Sequence, residues 1–158
     1  MVWHCHSSLV PKPHTQMAAN SMLSDLIFHW RLIAIGGNED RMHCLEVLTR
    51  VVQEIGKADY NVVVIPSASE EPEQRGKEYQ QVFAKLGAAT TEVLDVRNRM
   101  QANSKELARK LDDANLIFLT GGNQLRLTTI LGGTWVLDAI RSRLQAGVLV
   151  VGTSAGAA

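Results

Sequence analysis

The sequence lacks a surplus of either charge. Sixteen Lys and Arg balance sixteen Asp and Glu in a chain of 158 residues, so no overall field draws it to nucleic acid or to an anionic membrane. Cysteine is scarce: Cys5 and Cys44 are the only two. They give neither a disulfide framework nor a CxxC metal pair, which makes a reducing, cytoplasmic compartment the expectation. Long apolar runs are missing as well. Val62 to Ile65 and Val148 to Val151 are of strand length and far short of a membrane span. Nucleotide signatures are also absent. Gly36-Gly37-Asn38-Glu39-Asp40 is not GxGxxG, its acids would repel a pyrophosphate, and no Walker A lysine occurs. What is present, at 46% apolar and 20% charged residues, is the composition of one soluble globular domain.

The first thirty residues differ from the rest. They hold His4, His6, His14 and Pro11-Lys12-Pro13, with no acid before Asp25, and they lack the apolar core and cleavage site of a signal peptide. Residues 1–30 are expected to be an extension, disordered or loosely docked, and residues 31–158 an α/β domain. His4-Cys5-His6 lacks the spacing and the supporting shell of a built metal site, so no metal is expected.

From Arg31 onward strands and helices alternate with short connections. Strands are expected at Leu32–Ile35, Val62–Ile65, Thr90–Val96, Leu116–Leu119 and from Gly147 into the chain's last residues. The first helix, capped by Asn38 or Asp40 and stopped by Gly56, places Leu45, Leu48, Val51, Val52 and Ile55 on one face. Others are expected over Pro72–Leu86, from Ser104, over Gln124–Leu131 and over Trp135–Leu144. This pattern predicts a doubly wound, mostly parallel sheet in a three-layer α/β/α arrangement. Ligands of such sheets sit beyond the carboxyl ends of the strands, and Gly36-Gly37, Gly121-Gly122 and Gly152-Thr153-Ser154 would share one crevice there.

The last of these carries the most chemistry. Gly152-Thr153-Ser154-Ala155-Gly156 is GxSxG at the end of a buried strand, the pattern of a nucleophile elbow. Ser154 would expose its hydroxyl, and the Ala155 amide would point into the same space as half of an oxyanion hole. The pentapeptide also fits a plain Gly-rich turn that binds an anion or packs closely. In Gly121-Gly122-Asn123-Gln124, a loop without side chains can turn an amide toward the serine as the other half of the hole. Gln124 offers a donor and an acceptor to a polar substrate, or else a solvated side chain on a capping loop.

IGGNED at 35–40, VVIPSAS at 63–69, FLTGGNQLRLTTILGGT at 118–134 and VVGTSAGAA at 150–158 carry a resemblance. From Leu32 to Ala158 the chain resembles the first half of the cyanophycinases, S51 serine peptidases with a flavodoxin-like, class I glutamine amidotransferase-like fold. Peptidase E, an aspartyl dipeptidase, resembles it less, since its motifs differ around Thr153 and Gln124. The resemblance implies hydrolysis of cyanophycin, a polyaspartate with arginine on each side-chain carboxyl, to β-Asp-Arg dipeptides. Ser154 would form the acyl-enzyme, Gly122 and Ala155 would hold the oxyanion, and Gln124 with Asn123 would position substrate. No cofactor is implied, and a homodimer is implied for the full-length protein.

The resemblance also implies a histidine base, its acid partner and most arginine-recognising residues beyond the nucleophile, in a segment the sequence does not contain. The fold is therefore expected to be incomplete at its C-terminus, with an inner strand left open at its edge. A chain of these residues alone is expected to be poorly stable and nearly inactive, because a serine hydroxyl without a base is a poor nucleophile. Nothing aims His43 at Ser154 as a substitute. A different class also fits the residues: a non-catalytic amidotransferase-like module that binds a small ligand or a partner.

Overall fold

The computed structural model describes residues 30–36 and 44–157. Val62-Val63-Val64-Ile65 has no polar alternation, so its strand must be covered on both faces. It forms β2 (Asn61–Ile65), an inner strand of a five-stranded, all-parallel sheet with β1 (Arg31–Ile35), β3 (Thr90–Val93), β4 (Leu116–Leu119) and β5 (Leu149–Thr153). The order is β1-β5-β4-β2-β3. Among the described residues six helices connect the strands: α1 (Cys44–Ile55), α2 (Pro72–Lys85), α3 (Arg99–Ala102), α4 (Lys105–Arg109), α5 (Gln124–Leu131) and α6 (Trp135–Gln145).

Because strand side chains alternate, one sheet feeds two cores. Val62, Val64, Leu116, Phe118, Leu149 and Val151 meet Leu48, Val51 and Ile55 of α1 and Tyr79 and Phe83 of α2. The Phe118 ring centre lies 4.6 Å from that of Tyr79 and 5.3 Å from that of Phe83. On the other face Val63, Ile65, Ile117 and Val150 meet Leu127, Ile130 and Leu131 of α5 and Val136 and Ile140 of α6. The three-layer, doubly wound arrangement is therefore the one the alternation predicts.

Several local expectations are corrected. β3 stops at Val93. Leu94 N still donates to Val64 O at 2.8 Å, but Val96 N turns back onto Leu94 O, which curls the chain out of the ladder while both side chains stay buried. The helix expected from Ser104 is preceded by a separate turn of helix, because two caps lie close together: the Asn98 side chain accepts from Gln101 N, and that of Ser104 from Leu107 N. Leu45 is exposed, and the buried stripe of α1 begins at Leu48. β5 is not left with an open edge. It lies between β1 and β4 with all its residues buried. Among the described residues the edges of the sheet are β1, where Leu32 is 63% exposed and β5 is the one partner, and β3, which pairs with β2. Among the described residues no helix is long and apolar enough to cross a membrane. The expected extension of residues 1–30 lies outside them, Trp30 apart.

Candidate active site

β5 brings Gly152 and Thr153 up from the core and hands the chain to a single 3-10 turn, Ser154–Ala157. The reversal is tight. A Cβ on Gly152 would run into the Gly156 carbonyl and stand 2.7 Å from Ala157 N, so nothing larger than glycine fits without moving the turn. Ser154 takes φ 50°, alone among the described non-glycine residues in having a positive φ. For an L-residue that region is strained by about 1–2 kcal/mol. Thr153 is buried while Ser154 is exposed, so the strain coincides with a hydroxyl presented at the end of an inner strand.

The second wall comes from the loop after β4. A Cβ on Gly121 would lie 3.3 Å from the Ser154 Cβ, which sets the loop directly beside the elbow. Gly122 adopts φ 149°, and a Cβ there would enter the Ala68 carbonyl and stand 2.8 Å from Ser69 N. Asn123 caps α5, its side-chain oxygen accepting from Arg126 N at 3.0 Å. Gln124 opens that helix and is exposed.

These pieces enclose a crevice of about 470 Å³ lined by Ala34, Ile35, Gly36, Gly122, Gln124, Ser154, Ala155 and Ala157. The ends of β1, β4 and β5 thus face one space. The structure brings Ser154, Gly122, Ala155 and Gln124 together there, and it uses the side-chain oxygen of Asn123 on the helix cap instead. None of the described lining residues is ionisable. Gly122 N–H has no acceptor among the described residues, and the first amides of a 3-10 turn have no acceptor within it. Amide donors on residues that share a crevice with a hydroxyl suit a negative oxygen.

The resolved pKa shifts lie away from the crevice. The Glu73 carboxyl is held below its ordinary range by a hydrogen bond from Lys77, by the Lys77 charge and by Arg97, the Arg97 guanidinium is raised by its bond to Asp95, and burial raises the Tyr60 phenol. No His, Cys, Asp and Glu side chains gather into a metal-binding group among the described residues. Glu39, Asp40, His43 and His4-Cys5-His6 lie outside those residues, as do all five histidines of the sequence. The turn Pro66–Ser69 was given no role by sequence reasoning. Its small residues at a strand end were the available signal, but its contact with Gly122 is not local.

An all-parallel α/β sheet with a strained, exposed serine at an inner strand's carboxyl end is the architecture of the nucleophile-elbow class. Within it, the model for peptidase family S51 matches residues 32–158, and the chain belongs to that family. It is 38% identical over 147 residues to a cyanophycinase of Trichormus variabilis, covering 92% of this chain and 49% of that protein. To a cyanophycinase of Geminocystis herdmanii it is 42% identical over 128 residues, 80% of this chain and 47% of the relative. The chain thus spans about half the length of the relatives it matches. The Trichormus match is longer than the stretch from Arg31 to Ala158, so it takes in part of the first thirty residues, which the motifs had left outside the resemblance. The crystal structure of a peptidase from an acI-B1 Actinobacterium superposes with a TM-score of 0.64 at 25% identity, over 79% of this chain and 54% of that one.

Proposed function

We propose that these residues form the nucleophile-bearing part of a serine-type hydrolase that cleaves the polyaspartate backbone of cyanophycin to β-Asp-Arg dipeptides. The observation that carries this reading is Ser154, exposed at φ 50° in a crevice it shares with Gly122 and Ala155. The identity to cyanophycinases supports the substrate. Ser154 Oγ attacks a backbone carbonyl carbon as its proton passes to a base, and the carbonyl oxygen takes its negative charge against the two amides. Collapse breaks the C–N bond and releases the amine with that proton. Water then hydrolyses the ester and restores the hydroxyl. Gln124 orients the substrate through its amide donor and acceptor, and Asn123 acts through the loop it caps. No metal or organic cofactor enters these steps.

The described residues contain no histidine, so in this reading the base comes from elsewhere in the polypeptide. Fluorophosphonate labelling of the full-length protein tests the assignment. Labelling that Ser154→Ala abolishes, together with dipeptide release from cyanophycin, is the expected result. A folded protein that neither labels nor hydrolyses cyanophycin would instead be the amidotransferase-like binding module.

A further inference from the structure

The turn Pro66–Ser69, between β2 and α2, forms none of the crevice wall, yet it is shut away from solvent beside it. Ser67 is 1% exposed, Ala68 0% and Ser69 6%. Three hydrogen bonds lock it. Ser69 N donates to Pro66 O at 2.9 Å and closes the turn. Ser69 Oγ accepts from Glu71 N at 3.2 Å and ties the turn to the start of α2. Ala68 O accepts from Asn123 N at 2.8 Å and ties it to the loop after β4. The Ala68–Ser69 peptide also fills the space in which any Cβ on Gly122 would stand.

A glycine is free to rotate both of its flanking peptides. At Gly122 the following peptide is held by the bond from Asn123 N, and the Cα is pressed against buried backbone that has nowhere to go. The Gly122 N–H, on a residue of the crevice wall, has no acceptor among the described residues. We propose that Pro66–Ser69 is the positioning element of the oxyanion site, with the Ala68 carbonyl as its contact and Ser69 as the positioning residue that fixes that carbonyl. The inference rests on Ser154 being the nucleophile. An oxyanion donor works only when held within hydrogen-bond distance of the place where charge develops. A slip of about 1 Å in such a group can cost about a hundredfold in rate.

Because the negative oxygen is absent from bound substrate and develops only in the transition state and the intermediate beyond it, the slip lowers kcat and leaves KM alone. The experiment is steady-state hydrolysis of cyanophycin by full-length wild type, Ser69→Ala, Ser69→Thr and Ser154→Ala, with a thermal melt of each. Ser69→Ala is expected to lose about ten- to a hundredfold in kcat with KM within about twofold, and Ser69→Thr, which keeps the hydroxyl, to recover most of it. Wild-type kcat in Ser69→Ala overturns the proposal and leaves the nucleophile assignment standing. So does a kcat loss that follows the unfolded fraction in the melt, or one that the threonine fails to rescue. Activity retained in Ser154→Ala overturns both.

Discussion

Ser154 stores strain that can be released without touching anything else. Its φ of 50° costs an L-residue about 1–2 kcal/mol, whereas glycine adopts that conformation freely. The side chain is exposed and makes no hydrogen bond among the described residues, so its removal forfeits no hydrogen bond to them. Against the relief stands the larger entropy that glycine loses on folding, about 0.5–1 kcal/mol. Ser154→Gly is therefore expected to stabilise the protein by about 0.5–1 kcal/mol. Ser154→Ala keeps the Cβ responsible for the strain and is expected to change stability by less than about 0.5 kcal/mol. Urea melts of the full-length protein at one temperature read the difference directly, and a thermal melt should show Ser154→Gly higher by about 1–4 °C. Both variants lose fluorophosphonate labelling if the serine is the nucleophile. A glycine variant no more stable than the alanine variant would show that the elbow holds no strain, and would remove the physical basis for reading this turn as a built site. A gain in stability joined to a loss of activity is the signature expected where function maintains an unfavourable conformation.

Gly152→Ala forces a methyl into the Gly156 carbonyl. It is expected to cost about 1–3 kcal/mol and, by displacing the turn, to slow Ser154 labelling by about a hundredfold; wild-type labelling kinetics would refute the packing argument. Gln124→Ala removes a hydrogen-bonding group from the crevice and is expected to raise KM for cyanophycin about tenfold, with kcat within about threefold. A loss confined to kcat would place Gln124 in the transition state instead. Tyr60, 3% exposed, donates to Leu86 O at 2.8 Å, and burial raises its phenol above 10.0. The folded protein thus holds the proton more tightly than the unfolded chain. The resulting stability is complete below pH 10 and declines as pH rises toward the folded value. Tyr60→Phe should lose about 0.5–1.5 kcal/mol at pH 7 and show a shallower alkaline decline in urea melts; an unchanged slope would place the alkaline loss elsewhere.

Much of the scaffold could be read from local pattern. β2, β4 and α5 lie where their apolar runs end at Pro66, at Thr120-Gly121 and at Gly132-Gly133, because those residues stop an element wherever it is. The order of the strands was not readable in this way. β1 is followed in sequence by β2 but paired with β5, and periodicity is silent about which runs become neighbours. The site shows the same division. Ser154, Gly122 and Ala155 could be named from the residue types a tight turn tolerates, and the structure places them on one crevice. The grip of Ala68 on Asn123 could not, since it joins residues far apart in the chain through backbone atoms that every sequence shares. For Asn123 the sequence left two uses open, since one side chain can serve a substrate or a helix, and the structure shows that its oxygen accepts from Arg126 N.

The pairing of β1 with β5 also dictates an order of events during synthesis. Arg31 finds Leu149, and Ile35 finds Thr153, so β1 leaves the ribosome well before the strand it pairs with. At roughly 5–20 residues per second that interval is on the order of ten seconds. β2, β3 and β4 can assemble in the meantime, since their pairings join earlier residues. β5 then enters as a wedge between β4 and β1, and the crevice exists only once it is seated. The reactive turn is thus made only after β1, β2, β3 and β4, the strands on either side of β5, have been synthesised.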